Sequence, residues 1–146
     1  MRIIAIALFL SLFARPLYAQ ECKCRAPERA AVTRAGYFEE LVFEDETLYK
    51  SLRGVVHLPN DDRPMNDVLV ELFTRPAGKS KKQHRIKACL TGEDGRFCFR
   101  GVSKGKCELR VSKNGGFEIT HVYVVVDPKN RKSTDQEMNV ILDVGK

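Results

Sequence analysis

One run of residues most constrains this chain: Thr91-Gly-Glu-Asp-Gly-Arg-Phe-Cys-Phe-Arg-Gly-Val-Ser-Lys-Gly-Lys-Cys-Glu-Leu-Arg-Val111. Asp94-Gly95 is a turn dipeptide, and glycine supplies the positive φ that such a turn needs. Phe97 and Phe99 alternate with Cys98 and Arg100, the period of two of a strand with one buried face. Gly101 and Gly105 bracket a second turn, after which Cys107, Leu109 and Val111 alternate with Lys106, Glu108 and Arg110. The pattern points toward a small all-β module and away from an enzyme.

The same grammar runs through residues 53–146. Strands are expected at 54–58, 67–73, 86–91, 96–100, 106–112, 118–126 and 138–144. Pro59-Asn60-Asp61-Asp62 stops the first, and Asp127-Pro128-Lys129-Asn130 stops the sixth. Val56, Val68, Val70, Leu72, Leu90, Phe97, Phe99, Leu109 and Val111 are the expected core. No helical period of useful length interrupts them. Short strands at this spacing, with turn residues between, predict an all-β, seven-stranded antiparallel β-sandwich.

Two segments precede it. Residues 1–19 open with Met1-Arg2, continue as an apolar run from Ile3 to Phe13 and end in Leu17-Tyr18-Ala19, the pattern of a cleaved secretory signal peptide. The run is too short for a spanning helix, and no later stretch is long enough. The protein is therefore expected to be exported, either periplasmic or secreted. The whole chain of 146 residues carries a formal charge of +6, and losing Arg2 and Arg15 leaves +4. That mild excess suits anionic envelope polymers, and nucleic acid is not an expected partner outside the cytoplasm. Residues 20–52 form an N-terminal extension, partly ordered, with an acidic cluster at Glu39, Glu40, Glu44, Asp45 and Glu46. Phe38, Leu41 and Val42 fit a helical turn as well as Leu41 and Phe43 fit a strand, so both readings stay open there.

The motif Gly54-x-Val56, Pro64, Asp67-Val68-x-Val70-x-Leu72, Thr91-x-x-Asp94-Gly95-x-Phe97-x-Phe99-x-Gly101 and Gly105-x-Cys107-x-Leu109-x-Val111 resembles the carboxypeptidase regulatory-like domain. The resemblance covers about residues 53–146. It implies a transthyretin-like (prealbumin-like) sandwich of the carbohydrate-binding-like group, with Asp94, Gly95, Gly101 and Gly105 defining turns. It implies no chemistry of its own, since such domains serve as folding supports, spacers or binding modules. Cys107 departs from the family pattern, in which an aromatic is usual.

Five cysteines, Cys22, Cys24, Cys89, Cys98 and Cys107, follow the signal, and export favours disulfides. Pairing Thr91 with Arg96 across the loop 92–95 sets Leu90 against Phe97 and Cys89 against Cys98, which makes Cys89–Cys98 the favoured cross-strand disulfide. Two free thiols are the alternative. Cys22 or Cys24 is a candidate to reach Cys107 and tie down the extension. A metal at Cys22 and Cys24 would need two more ligands, and His57, His84 and His121 are scattered, so no metal or cofactor is expected.

Lys79, Lys81, Lys82, His84, Arg85 and Lys87 form a basic loop that either contacts an anionic ligand or is simply solvated. No catalytic motif is present, and no enzyme activity is expected. Three functions follow. The first is an exported, non-catalytic binding or scaffolding module of the cell envelope, with a protein or glycan partner. The second is a purely structural subunit of an envelope assembly. The third is a cysteine-based metal or redox role.

Overall fold

The computed structural model describes residues 24–27, 40–76, 78 and 82–144. Residues 1–19, where a signal peptide is expected, and Cys22, Lys79 and Lys81 lie outside the described residues. The described chain is all β, with nine strands: β1 (Glu40–Tyr49), β2 (Leu52–Leu58), β3 (Asp61–Pro64), β4 (Leu69–Thr74), β5 (Arg85–Leu90), β6 (Arg96–Phe99), β7 (Gly105–Ser112), β8 (Ile119–Val126) and β9 (Met138–Ile141). Among the described residues no helix is long and apolar enough to cross a membrane.

The strands form two mixed sheets. One has the order β1-β8-β7-β4-β5; in the other, β2 pairs with β3, β6 and β9. The β1–β8 and β2–β9 pairs are parallel, and the remaining ladders are antiparallel. This corrects the seven-stranded, wholly antiparallel expectation. All seven expected strands are present, and β1 and β3 are additional. β1 escapes periodicity because Glu44, Asp45 and Glu46 interrupt its apolar residues, which an edge strand tolerates. β3 escapes because Pro59-Asn60 reads as a stop. Asn60 instead takes φ 58° and turns the chain so that Asp61 faces Leu58.

The two sheets share one core. Val70, Leu72, Leu109, Val111 and Val124 come from one sheet, and Leu52, Val56, Phe97, Phe99 and Val140 from the other. Each such side chain contributes roughly 1.5–3 kcal/mol on burial. Eight of the nine expected core residues are buried. Leu90 is the exception. On β5 it is Cys89, opposite Val70, that turns inward and is 3% exposed, so the pleat sends Leu90 outward opposite Leu69.

A second correction concerns Asp94-Gly95. The turn does not close a hairpin between β5 and β6; it carries the chain from one sheet to the other. Thr91 stays with the first sheet: its N–H donates to the Val68 carbonyl at 3.0 Å, and its hydroxyl donates to the Met65 carbonyl at 2.7 Å. Past the turn, β6 pairs with β2, with Arg53 opposite Cys98. Gly95 is obligatory on two counts. Its φ is +67°, and a Cβ would lie 2.7 Å from Pro64 Cβ and 2.9 Å from the Val56 oxygen.

Candidate binding groove at the β1 edge

β1 is the terminal strand of its sheet and is built almost wholly from acidic and apolar residues. Glu40, Glu44, Asp45 and Glu46 are its charges, and it holds no lysine or arginine. Val42 and Phe43 are 54% and 48% exposed, an unusual pair of adjacent apolar side chains for an open edge. Pairing with β8 runs in register from Glu40–Ile119 to Glu44–Tyr123, then slips and resumes at Leu48–Val125.

The slip is held by Asp45. Its carboxylate accepts the Thr47 N–H at 2.9 Å and the Tyr49 hydroxyl at 2.6 Å. Burial acts to raise the Asp45 carboxyl, but these donors outweigh it and hold the group below its usual range. Tyr49, buried and facing that carboxylate, is pushed up to about 12 by burial first and by Asp45 second. Beyond the slip, Thr134 caps the outer edge: its N–H donates to Leu48 O at 2.8 Å, and its carbonyl accepts Lys50 N–H at 2.9 Å. Ahead of the slip, no described residue pairs with that outer edge.

A groove of about 400 Å³ opens beside it, between β1 and β9, lined by Phe43, Tyr49, Val122, Met138 and Val140 and bordered by Glu44, Asp45 and Glu137. Thr120 lines it too, and its hydroxyl donates to the Ile141 carbonyl at 3.0 Å, joining β8 to β9. The site thus offers unpaired strand edge, an apolar trough and carboxylates together.

The outer face of the five-stranded sheet carries a polar network of different character. Glu108 Oε1 is 2.6 Å from His121 Nδ1 and 3.2 Å from Arg110 Nη2, and Gln83 Nε2 donates to Glu108 Oε2. Both Glu108 and His121 are buried. Arg110 stacks over Phe73 at 4.3 Å, and Arg75 over Tyr123 at 3.8 Å while pairing with Glu44 at 3.3 Å. These charges are mutually engaged, which suits a rigid sheet face.

Of the expected basic loop, Lys82, His84, Arg85 and Lys87 are among the described residues. Arg85 pairs with Glu71 at 3.0 Å, and Lys87 donates to the Arg100 carbonyl. Lys82 and His84 are exposed. The four expected turn residues Asp94, Gly95, Gly101 and Gly105 stand at or beside turns, with Gly101 also at φ +67°.

The cysteines are arranged otherwise than expected. Cys89 and Cys98 stand on strands of different sheets, and Cys89 carries a free thiol, so the Cys89–Cys98 cross-strand ladder is absent. Cys107, buried on β7 opposite Val124, is also a free thiol and is not joined to Cys24. Cys24 lies instead beside Cys89, with the sulfurs 2.6 Å apart.

No family model matches the chain, and no curated protein or solved structure matches it. The groove residues Phe43, Asp45, Tyr49 and Thr120 were not singled out as a site from sequence. The signal that existed was the Leu41/Phe43 alternation within an acidic stretch.

Proposed function

We propose that this chain is an exported, non-catalytic β-sandwich module of the carboxypeptidase regulatory-like type. It binds a protein partner of the cell envelope by taking an extended, basic segment along β1. The pattern of residues 1–19 supports export. The Asp94-Gly95-x-Phe97-x-Phe99-x-Gly101 block supports the family, and two sheets around one core are consistent with its sandwich.

The observation that carries the reading is the β1 edge. Phe43 is exposed in a groove whose rim is acidic, Val42 is exposed on the opposite face of the strand, and ahead of the slip no described residue pairs with the strand's outer edge. Strand addition draws affinity from main-chain hydrogen bonds and selectivity from alternate side-chain pockets. The acidic residues of β1 select a basic partner strand and disfavour self-pairing, since a second β1 would set carboxylates against carboxylates. A glycan would leave the strand's N–H and C=O ladder without a regular complement.

The experiment is a titration of the mature protein with a capped peptide of alternating lysine and valine, against its glutamate–valine counterpart. Saturable binding of the first, weakened by salt and by Phe43→Ser, is expected. Equal binding of both peptides, or of neither, overturns the reading.

A further inference from the structure

Residues 24–27 are laid against the open edge of β5. Arg25 N–H donates to the Leu90 carbonyl at 3.1 Å, and Leu90 N–H donates back to the Arg25 carbonyl at 2.8 Å. The Arg25 guanidinium pairs with Asp67, across the sheet end from that bridge. These contacts hold Cys24 over the corner where the chain leaves β5 for β6. Its sulfur is 2.6 Å from that of Cys89 and 3.5 Å from the Cys98 carbonyl oxygen. Cys24 is half-buried and packs on the core, whereas Cys89 is 3% exposed. A disulfide needs its sulfurs at ~2.05 Å, so closure asks for a shift of only about half an ångström.

We propose that Cys24 and Cys89 are an oxidisable pair that closes to a disulfide, clasping the N-terminal segment onto the β5 edge. The oxidant is an external disulfide of the glutathione or protein thiol–disulfide class. The less buried partner attacks first: the Cys24 thiolate displaces one thiolate from that disulfide and forms a mixed disulfide. Cys89 then gives up its proton to solvent, and its sulfur displaces the second thiolate from Cys24. Two protein thiols become one disulfide, two electrons pass to the oxidant, and it leaves as two thiols.

The environments suit this division of labour. The hydrogen bond from the Cys89 thiol, working against burial, holds Cys24 down at about 6, which supplies an attacking thiolate at neutral pH. Cys89 is pushed up, by its bond to Cys24 first and by burial second, so it keeps its proton until the mixed disulfide forms. Cys107 is pushed up by burial on another strand and takes no part.

The clasp has a structural consequence. β5 is the other terminal strand of the five-stranded sheet, and the segment covers its edge at Leu90. Arg25 also helps line a depression of about 620 Å³ with Asn66, Asp67, Thr91, Glu93 and Asp94. Closure would lock the segment over both, whereas in the dithiol form it is held there by the Arg25 contacts with Leu90 and Asp67.

The experiment is peptide mapping of the full chain, purified after export and again after equilibration with glutathione buffers. Exchange is quenched with acid, and free thiols are then alkylated near neutral pH in denaturant with excess reagent before tryptic digestion. Lys23 lies between Cys22 and Cys24, so trypsin separates the two. The expected result is a linked peptide joining Cys24 to Cys89 in oxidised protein, lost in Cys24→Ser, with Tm falling by about 10 °C in oxidising buffer only. Alkylation of both Cys24 and Cys89 in the presence of excess oxidised glutathione overturns the proposal, as does a linked peptide that joins Cys24 to another cysteine. Cys24→Ser alters a half-buried position outside the strands, so folding of that variant is readily checked by circular dichroism.

Discussion

Glu108 on β7 reaches diagonally to His121 on β8, not to Tyr123, which stands directly opposite it. The 2.6 Å contact between Glu108 Oε1 and His121 Nδ1 brings a carboxylate and an imidazole together on a buried patch of the outer face. Arg110, opposite His121, donates to the same carboxylate at 3.2 Å. The diagonal exists because the pleat places Glu108, Arg110, His121 and Tyr123 on one face and Leu109, Val122 and Val124 on the other.

Acid stability should depend on this carboxylate. Burial acts to raise Glu108, but the donors His121, Gln83 and Arg110 outweigh it and hold it below its usual range. A depressed carboxylate contributes stability in full above the ordinary glutamate range, and that contribution is lost as pH falls through the folded-state value. Urea midpoints measured from about pH 6 down to about pH 3 should therefore fall more steeply in the wild type than in Glu108→Gln. Parallel acid limbs would remove Glu108 from the explanation.

Two glycines separate backbone strain from collision. Gly95 and Gly101 both sit at φ +67°, yet a Cβ on Gly101 meets nothing within 4 Å while one on Gly95 meets Pro64, Met65 and Val56 below 3.0 Å. Gly101→Ala should cost about 1 kcal/mol, the strain alone. Gly95→Ala should cost more than about 2 kcal/mol, because the end of β3 at Pro64 must move as well. Equal losses in chemical denaturation would mean that the close approach is not real.

Leucines at equal sequence prominence should differ in weight. Leu109 is fully buried between the sheets, and Leu109→Ala should cost about 2–5 kcal/mol. Leu90 lies on the outer face beneath the Arg25 bridge, and Leu90→Ala should cost about 1 kcal/mol. Thermal unfolding of both variants checks that Leu109 of β7 faces the core and Leu90 of β5 faces outward.

The alternation of 91–111 made β6 and β7 legible, and β-branched runs did the same for β8. Local pattern could not reveal partners. Whether β6 follows β5 in one ladder or crosses to the other sheet depends on Thr91, whose hydroxyl accepts the Val68 N–H and donates to the Met65 carbonyl, and both contacts are far away in sequence. The Cys89–Cys98 expectation failed for that reason alone. β1 was hidden because Glu44 and Glu46 stand where a two-sided strand would be apolar. Its place is set by non-local pairing to β8, and the groove that depends on it was hidden with it. Cys24 could not be matched to Cys89 until the Arg25–Leu90 bridge fixed the path of the N-terminal segment.

The most direct measurement is calorimetric titration of the mature protein with the lysine–valine peptide, on wild type and on Phe43→Ser, a change at a half-exposed position that spares the core. Saturable binding to the wild type, at least tenfold weaker in Phe43→Ser, is the predicted result, corresponding to about 1.4 kcal/mol. Identical isotherms for the two proteins would contradict recognition at the β1 edge.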